Sequence, residues 1–261
     1  MRRRDQGEAD RVLILCTPLG KRAVIAKGVR KVRSRKAGHL ELFTHARLVL
    51  ARSRSSWDVV TQAEALEVHA PLRDDLLRGS YARYVVELYD RFVAEGEGGE
   101  AVFDLVRRTL GYLCDAEPGR ETALLMRAYE QRLLALVGFR PEWDRCVGDG
   151  CDRPLDPEEG RPFGLDPGRG GALCPACYRA ARGDPGVQPL SPAALRLLRA
   201  CQREPFARLR ERGASPALLS EVERAAHRYI AYHLEQDLRS GVFLRRVQRE
   251  REHRRDSGSA V

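Results

Sequence analysis

Along the first seventy residues the apolar positions come in short runs and in alternations of period two. Residues 12–17 form a brief apolar run, and Leu19-Gly20-Lys21 after Pro18 reads as a turn. Residues 22–28 alternate, with Ala23 and Ile25 on one face and Val24 and Ala26 on the other. A polar, basic stretch with Gly38 follows. In residues 41–51, Leu42, Leu48 and Leu50 share one parity, and in residues 57–66 Val59, Thr61 and Ala63 alternate. Several short strands separated by glycine turns predict a small antiparallel barrel or sandwich.

After Pro71 the period lengthens to three and four. Leu77, Tyr81, Tyr84, Val85, Leu88 and Phe92 fall on one helical face, and the segment EGEGGE (95–100) ends that helix. Phe103, Val106, Leu110 and Leu113 mark a second helix. Leu125, Tyr129, Leu133, Leu136 and Val137 mark a third, which Gly138 stops, with Pro141 beyond. Residues 146–178 lose periodicity on a background rich in glycine and proline. Two helices then start alike, at Ser191-Pro192 and Ser215-Pro216, because serine caps orphan amides and proline presets φ at the first helical position. The second runs through Leu219, Val222, Ala226, Tyr229, Ile230 and Leu234. From about Arg245 the chain becomes rich in arginine and glutamate and ends in SGSAV, which reads as a frayed basic tail.

Composition adds a class of partner. The 261 residues suffice for two domains, and a hydrophobic fraction of 43% supports a core. A formal charge of +9 with a pI near 9.5 points to polyanions, nucleic acid ahead of membrane. No apolar run approaches the roughly 20 residues that span a bilayer. MRRRDQGEAD is too polar for a secretory signal, so a cytoplasmic protein is expected. Between Lys21 and Lys36 stand Lys21, Arg22, Lys27, Arg30, Lys31, Arg33, Arg35 and Lys36, with no acidic residue among them. Such a run is either a solvated loop or a surface for a phosphate backbone.

Of seven cysteines, four form two close pairs, Cys146-x4-Cys151 and Cys174-x2-Cys177, with 22 residues between them. Each pair can wrap one side of a tetrahedral ion, and thiolates suit structural zinc. Four cysteines leave no open coordination position, so such a zinc would hold structure and activate no water. The competing readings are a redox motif at Cys174-Pro175-Ala176-Cys177 and free thiols. Cys16, Cys114 and Cys201 sit in apolar surroundings and read as small buried hydrophobes. His39-Leu40-Glu41 with the second cysteine pair resembles a zinc-deaminase signature, but Leu173 stands where that signature has proline, and Cys146 and Cys151 would go unused. No phosphate-binding, serine-hydrolase or zinc-protease motif is present, so no catalytic residues are expected.

Barrel, helices, cysteine insertion and further helix follow one another in an order that, with its local wording, resembles the bacterial recombination-mediator family RecO. The likeness is carried by GEADRVLILCTPLGK (7–21), AKGVRKVRSRKAGHLELF (26–43), TQAEALE (61–67), RAYEQRLLALVGFRPEWDRC (127–146) and LSPAALRLLR (190–199). The resemblance implies an α+β chain: an N-terminal OB-fold β-barrel over residues 1–71, then an α-helical domain (72–145 and 179–245) with an inserted four-cysteine zinc finger (146–178), and a disordered tail (246–261). It implies binding of ssDNA and dsDNA, annealing of complementary strands, and action with RecR in loading RecA onto DNA coated by the single-strand-binding protein SSB. The eight basic residues from Lys21 to Lys36 would then line the DNA-binding part of the OB domain. The non-enzymatic mediator is the leading reading, ahead of a zinc-ribbon nucleic-acid-binding regulator.

Two details follow from the resemblance. RecO sequences begin with an apolar strand upstream of the GEAD segment, whereas only MRRRDQ precedes Gly7. Either the start has been placed late or the barrel lacks most of its first strand, leaving an unpaired edge. SSB proteins that RecO meets end in an acidic tail with a terminal aromatic residue. Arg127 and Arg132 beside Leu133, Leu136 and Val137 are expected to offer that tail a basic rim and an apolar groove, unless those residues are ordinary core.

Overall fold

The computed structural model describes residues 2–53, 57–234, 247, 248 and 250. Contacts divide the chain into two units, Met1–Asp115 with Ser240–Val261, and Ala116–Arg239. The first helices after the barrel strands thus lie in the same unit as those strands. No described helix is long and apolar enough to cross a membrane.

The first unit holds one five-stranded sheet built from β1 (Arg2–Gln6), β2 (Asp10–Thr17), β3 (Gly20–Ala26), β4 (His45–Ala51) and β5 (Asp58–Glu67). The order is β1-β2-β3-β5-β4, antiparallel except for β3 with β5, which pair in parallel through Val24↔Asp58 and Ile25↔Val59. Period-two alternation sends Leu13, Val24, Ala26 and Val60 inward, where Val29 and Leu40 from the β3–β4 loop join them. This is an OB-like sheet. The expected gap at the first strand is filled: Arg2–Gln6 pairs with β2 from Arg2↔Ile14 to Gln6↔Asp10. All five side chains are exposed, so the segment carries no apolar alternation and is a strand by its backbone pairing alone.

Helices α1 (Pro71–Asp74), α2 (Leu76–Phe92) and α3 (Gly99–Asp115) complete this unit. The Asp75 carboxylate caps α2 by accepting from Arg78 N at 2.7 Å. The C-terminal end of α2 is tied to the sheet by Lys21, whose Nζ donates to the carbonyls of Asp90 (2.7 Å) and Val93 (2.9 Å). The same ammonium pairs with the Asp90 carboxylate at 2.7 Å, both side chains being 14% exposed. Gly20 lets the β2–β3 turn meet the backbone of residues 96–97, since a Cβ there would lie 2.7 Å from the Gly96 and Glu97 carbonyl oxygens. Part of the expected tail is also held, for Val247 is buried and Gln248 donates to the Tyr81 hydroxyl at 2.9 Å. The rest of that tail lies outside the described residues.

The second unit comprises α4 (Arg120–Leu136), β6 (Phe163–Asp166), β7 (Gly171–Leu173), α5 (Pro175–Ala180), β8 (Gln188–Leu190), α6 (Pro192–Arg203), α7 (Phe206–Glu211) and α8 (Pro216–Leu234). Ser191 and Ser215 cap α6 and α8, accepting from Ala194 N at 3.1 Å and Leu218 N at 3.2 Å. Helix α4 packs against α6 and α8, with Tyr129, Leu133 and Leu134 fully buried. The short sheet runs β7-β6-β8 and carries the cysteine insertion.

Candidate nucleic-acid interface and metal centre

The β3–β4 loop begins where β3 leaves the sheet, and its first half is folded by its own backbone. Gly28 N donates to the Asp10 carboxylate at 2.8 Å, and Arg30 N to the Ala9 carbonyl at 3.0 Å. Lys31 N reaches Gly28 O at 3.2 Å and Ser34 N reaches Lys31 O at 2.9 Å, while Val29 is pinned in the core at 3% exposure. A buried anchor and consecutive turns turn the intervening side chains outward.

The eight basic residues do not share one fate. Lys27, Lys31, Arg33 and Arg35 are exposed, and among the described residues they form no ion pair. Arg22 is exposed on β3 itself. Arg30 is bound back to the Gly7 carbonyl (3.1 Å) and the Asp5 carboxylate (3.4 Å), which lies below its usual range, mainly because Arg11 hydrogen-bonds it. Lys36 is half-buried and donates to Val60 O at 2.8 Å. Lys21 is an internal tie to α2, so its charge is spent inside the fold. That corrects its expected place on the DNA-facing surface. Sequence spacing had no means of finding Asp10 as the residue that shapes the loop.

The four paired cysteines converge. Their sulfurs all lie within 4.8 Å of one another, and Cys151 Sγ to Cys174 Sγ is 3.8 Å. Four sulfurs at about 2.3 Å from a tetrahedral zinc would be separated by about 3.8 Å. The first pair sits on a knuckle closed by Cys151 N to Gly148 O (3.0 Å) and tied to β7 through Val147 N to Ala172 O (3.0 Å). The second pair begins as β7 ends: Cys174 is the N-cap of α5 and Cys177 lies in its first turn. Gly148 N and Cys174 N both donate to Cys146 Sγ, at 3.4 and 3.1 Å, as amides do to a charged thiolate. A Cβ at Gly148 would stand 2.7 Å from Cys177 Sγ, so the knuckle closes around the cluster only with glycine there. Burial opposes the Cys174 thiolate, but the amides of Cys177 and Ala176 and the adjoining thiols outweigh it and bring the group down to about 7. Cys146 and Cys177 are pushed up, chiefly by burial, as expected where several thiols cannot all ionise without a cation.

The residues thus fit one structural metal. The deaminase resemblance is not supported, because His39 Nδ1 accepts from Ala65 N at 3.2 Å and the cysteine set is already complete with four.

On α4 the expected groove does not form. Leu133 is wholly buried, and Arg127 is 5% exposed with its guanidinium 2.7 Å from the carboxylate of Glu130, itself wholly buried. Arg132 Nε donates to Cys201 O at 3.2 Å, its guanidinium also donates to Glu204 O, and it stacks on Phe206 at 4.1 Å. Only Leu136 of the expected set is exposed. Core packing and the carbonyls ending α6 have claimed these side chains.

Comparison with known proteins agrees with this architecture. The family model described as Recombination protein O N terminal matches residues 1–69, and Recombination protein O C terminal matches residues 73–241. The chain is 41% identical over 244 residues to the DNA repair protein RecO of Roseiflexus sp. (strain RS-1), covering 94% of this chain and 82% of that one. It is 36% identical over 241 residues to the DNA repair protein RecO of Desulforudis audaxviator (92% and 91% covered). With that of Symbiobacterium thermophilum the identity is 35% over 245 residues (94% and 93% covered).

Proposed function

The chain belongs to the RecO family, and from that membership together with the unpaired cations of the β3–β4 loop we propose that it is a non-enzymatic recombination mediator. It binds ssDNA and dsDNA without sequence preference, anneals complementary strands, and with RecR helps RecA load onto SSB-coated ssDNA in the cytoplasm. The observation that carries this reading is the set Lys27, Lys31, Arg33 and Arg35, exposed on one ordered loop of an OB-like sheet with no acidic partner among the described residues. Phosphates displace counterions from such a surface whatever the base sequence, which is what a loading factor requires.

Cys146, Cys151, Cys174 and Cys177 would hold one zinc as thiolates. Bound there, zinc supplies folding free energy and no reactive position. The contact with the SSB tail is retained only as a partner, since Arg127 and Leu133 are buried.

The test is annealing of complementary oligonucleotides coated with cognate SSB, with and without the protein. Accelerated annealing on unrelated sequences supports the mediator. Preference for one site with no annealing would instead indicate a zinc-ribbon regulator.

A further inference from the structure

The five-stranded sheet ends in two free edges, β1 and β4, and both border one open cleft of about 680 Å³. Among the described residues β1 pairs with β2 only as far as Arg2↔Ile14, so Leu15, Cys16 and Thr17 extend past it. Among the described residues, none of β4 makes a backbone–backbone hydrogen bond outside its pairing with β5, and Val49 O also accepts from the Thr61 hydroxyl of β5 at 2.9 Å. The cleft floor is apolar, formed by Leu13, Leu15, Leu48 and Leu50 with Phe103 and Val106 of α3. Its lining includes Arg2, Arg3, Arg22, Arg47 and Arg107 but a single carboxylate, Glu41. Arg3 pairs with Glu41 at 2.7 Å, Arg2 with Asp90 at 3.1 Å, Arg107 with Glu67 at 3.4 Å and Arg47 with Glu64 at 3.3 Å, whereas Arg22 has no carboxylate partner among the described residues.

We propose that this cleft receives an extended peptide strand of a partner protein, alternating apolar residues inward and carrying acidic residues at its ends, which pairs with the free edge of β4. An unpaired strand edge is a template for strand addition, and pockets for alternate side chains give it selectivity. Alternation matches the site at Leu48 and Leu50, which line the cleft, and at Val49 between them, which is exposed outside it, while Arg47 lines it from an exposed position. A segment of six residues, about 20 Å at 3.4 Å per residue, covers most of β4. Arg22, which has no carboxylate partner among the described residues, and Arg47, whose pair with Glu64 is exposed on both sides and therefore readily exchanged, supply the complement to acidic ends. Single-stranded DNA fits less well. Its bases stack on flat rings, and here His45 stands nearly edge-on to Phe103, with centroids 5.6 Å apart and an interplanar angle of 64°.

The probe is a fluorescein-labelled peptide of six alternating valine and threonine residues flanked by paired glutamates, titrated into the full chain by anisotropy. Saturable binding is expected. N-methylation of alternate peptide amides should weaken it at least about tenfold, since several strand hydrogen bonds at about 1 kcal/mol each are lost. Arg47→Glu, at an exposed position, should weaken it about fivefold. Equal binding of the methylated and unmethylated peptides would overturn the proposal, as would no saturable binding. It also falls if oligo(dT) displaces the peptide and Arg47→Glu weakens both ligands alike, because the cleft would then be a nucleic-acid channel.

Discussion

Replacing Lys27, Lys31, Arg33 and Arg35 together by alanine tests how the basic loop works, and the structure fixes the size of the effect. These four cations are exposed and have no acidic partner among the described residues, so each is free to replace a counterion on a phosphate backbone. Each phosphate contact contributes about 0.7 to the slope of log K against log salt for single strands. The quadruple variant should therefore bind ssDNA with a slope shallower by about 2.8. Between 50 and 200 mM salt the parent would then lose about 50-fold more affinity than the variant, a difference that follows from the slope. The assay is fluorescence anisotropy on oligonucleotides of unrelated sequence, at four or more salt concentrations. The loss should be alike on every sequence, because phosphate contacts read no bases. Lys21→Met serves as the contrast and should leave the slope almost unchanged, its ammonium being enclosed by Asp90 and the end of α2. If the quadruple variant keeps the parental slope, or if Lys21→Met lowers it as much as one loop residue does, the division between displayed and internal cations is wrong.

In urea unfolding, Lys21→Met should destabilise the first unit by about 3 kcal/mol, the low end for breaking a buried pair, because Arg2 still reaches Asp90 at 3.1 Å. Adding Asp90→Leu should restore most of that loss, since two apolar groups leave no charge stranded. Purified protein never exposed to chelator should contain one zinc per chain by elemental analysis, and Gly148→Ala should release it to a chelator faster than the parent, because the new Cβ would crowd Cys177 Sγ. A preparation without zinc would refute the metal assignment. Arg132→Ala should lower the thermal midpoint by loosening the ends of α6 and α7; an unchanged midpoint would return that arginine to the surface. His233, packed among Phe139, Tyr229 and Tyr232, is held below its ordinary value by burial. Its folded form prefers to stay neutral, so its contribution is present above about pH 6.5 and is lost as pH falls towards the lowered folded value. His233→Leu should flatten the decline in stability over that window, as read by urea midpoints at a series of pH values.

The strands β2 to β5 and the helices α2, α3, α4, α6 and α8 were legible because each buries one face, and burial writes a period into the sequence. β1 was not, since an edge strand exposed on both faces needs only its backbone, and RRRDQ carries no apolar beat. The cysteine cluster was legible from local spacing alone. The division of the basic run was not, because what separates Lys21 from Lys27 is Asp90, far away in sequence. Arg127 misled for the same reason. Its place beside an apolar stripe looked like a rim, whereas Glu130 one helical turn on draws it into the core. Local periodicity reports which face is buried; it is silent on which charges find each other across the fold.

The hydrogen bonds that shape the β3–β4 loop are in place before any ligand arrives: Gly28 on Asp10, Arg30 on Ala9, Ser34 on Lys31. A loop that is already ordered has little backbone freedom left to surrender on capture, so association carries no folding step and little heat-capacity signature from that segment. The flexible ends of its lysines and arginines then contribute charge without a fixed geometry, and each phosphate contact can be exchanged for a neighbouring one. The backbone is set and the grip is loose. A surface so built can travel along a strand and release it readily, as the proposed mediator role would require.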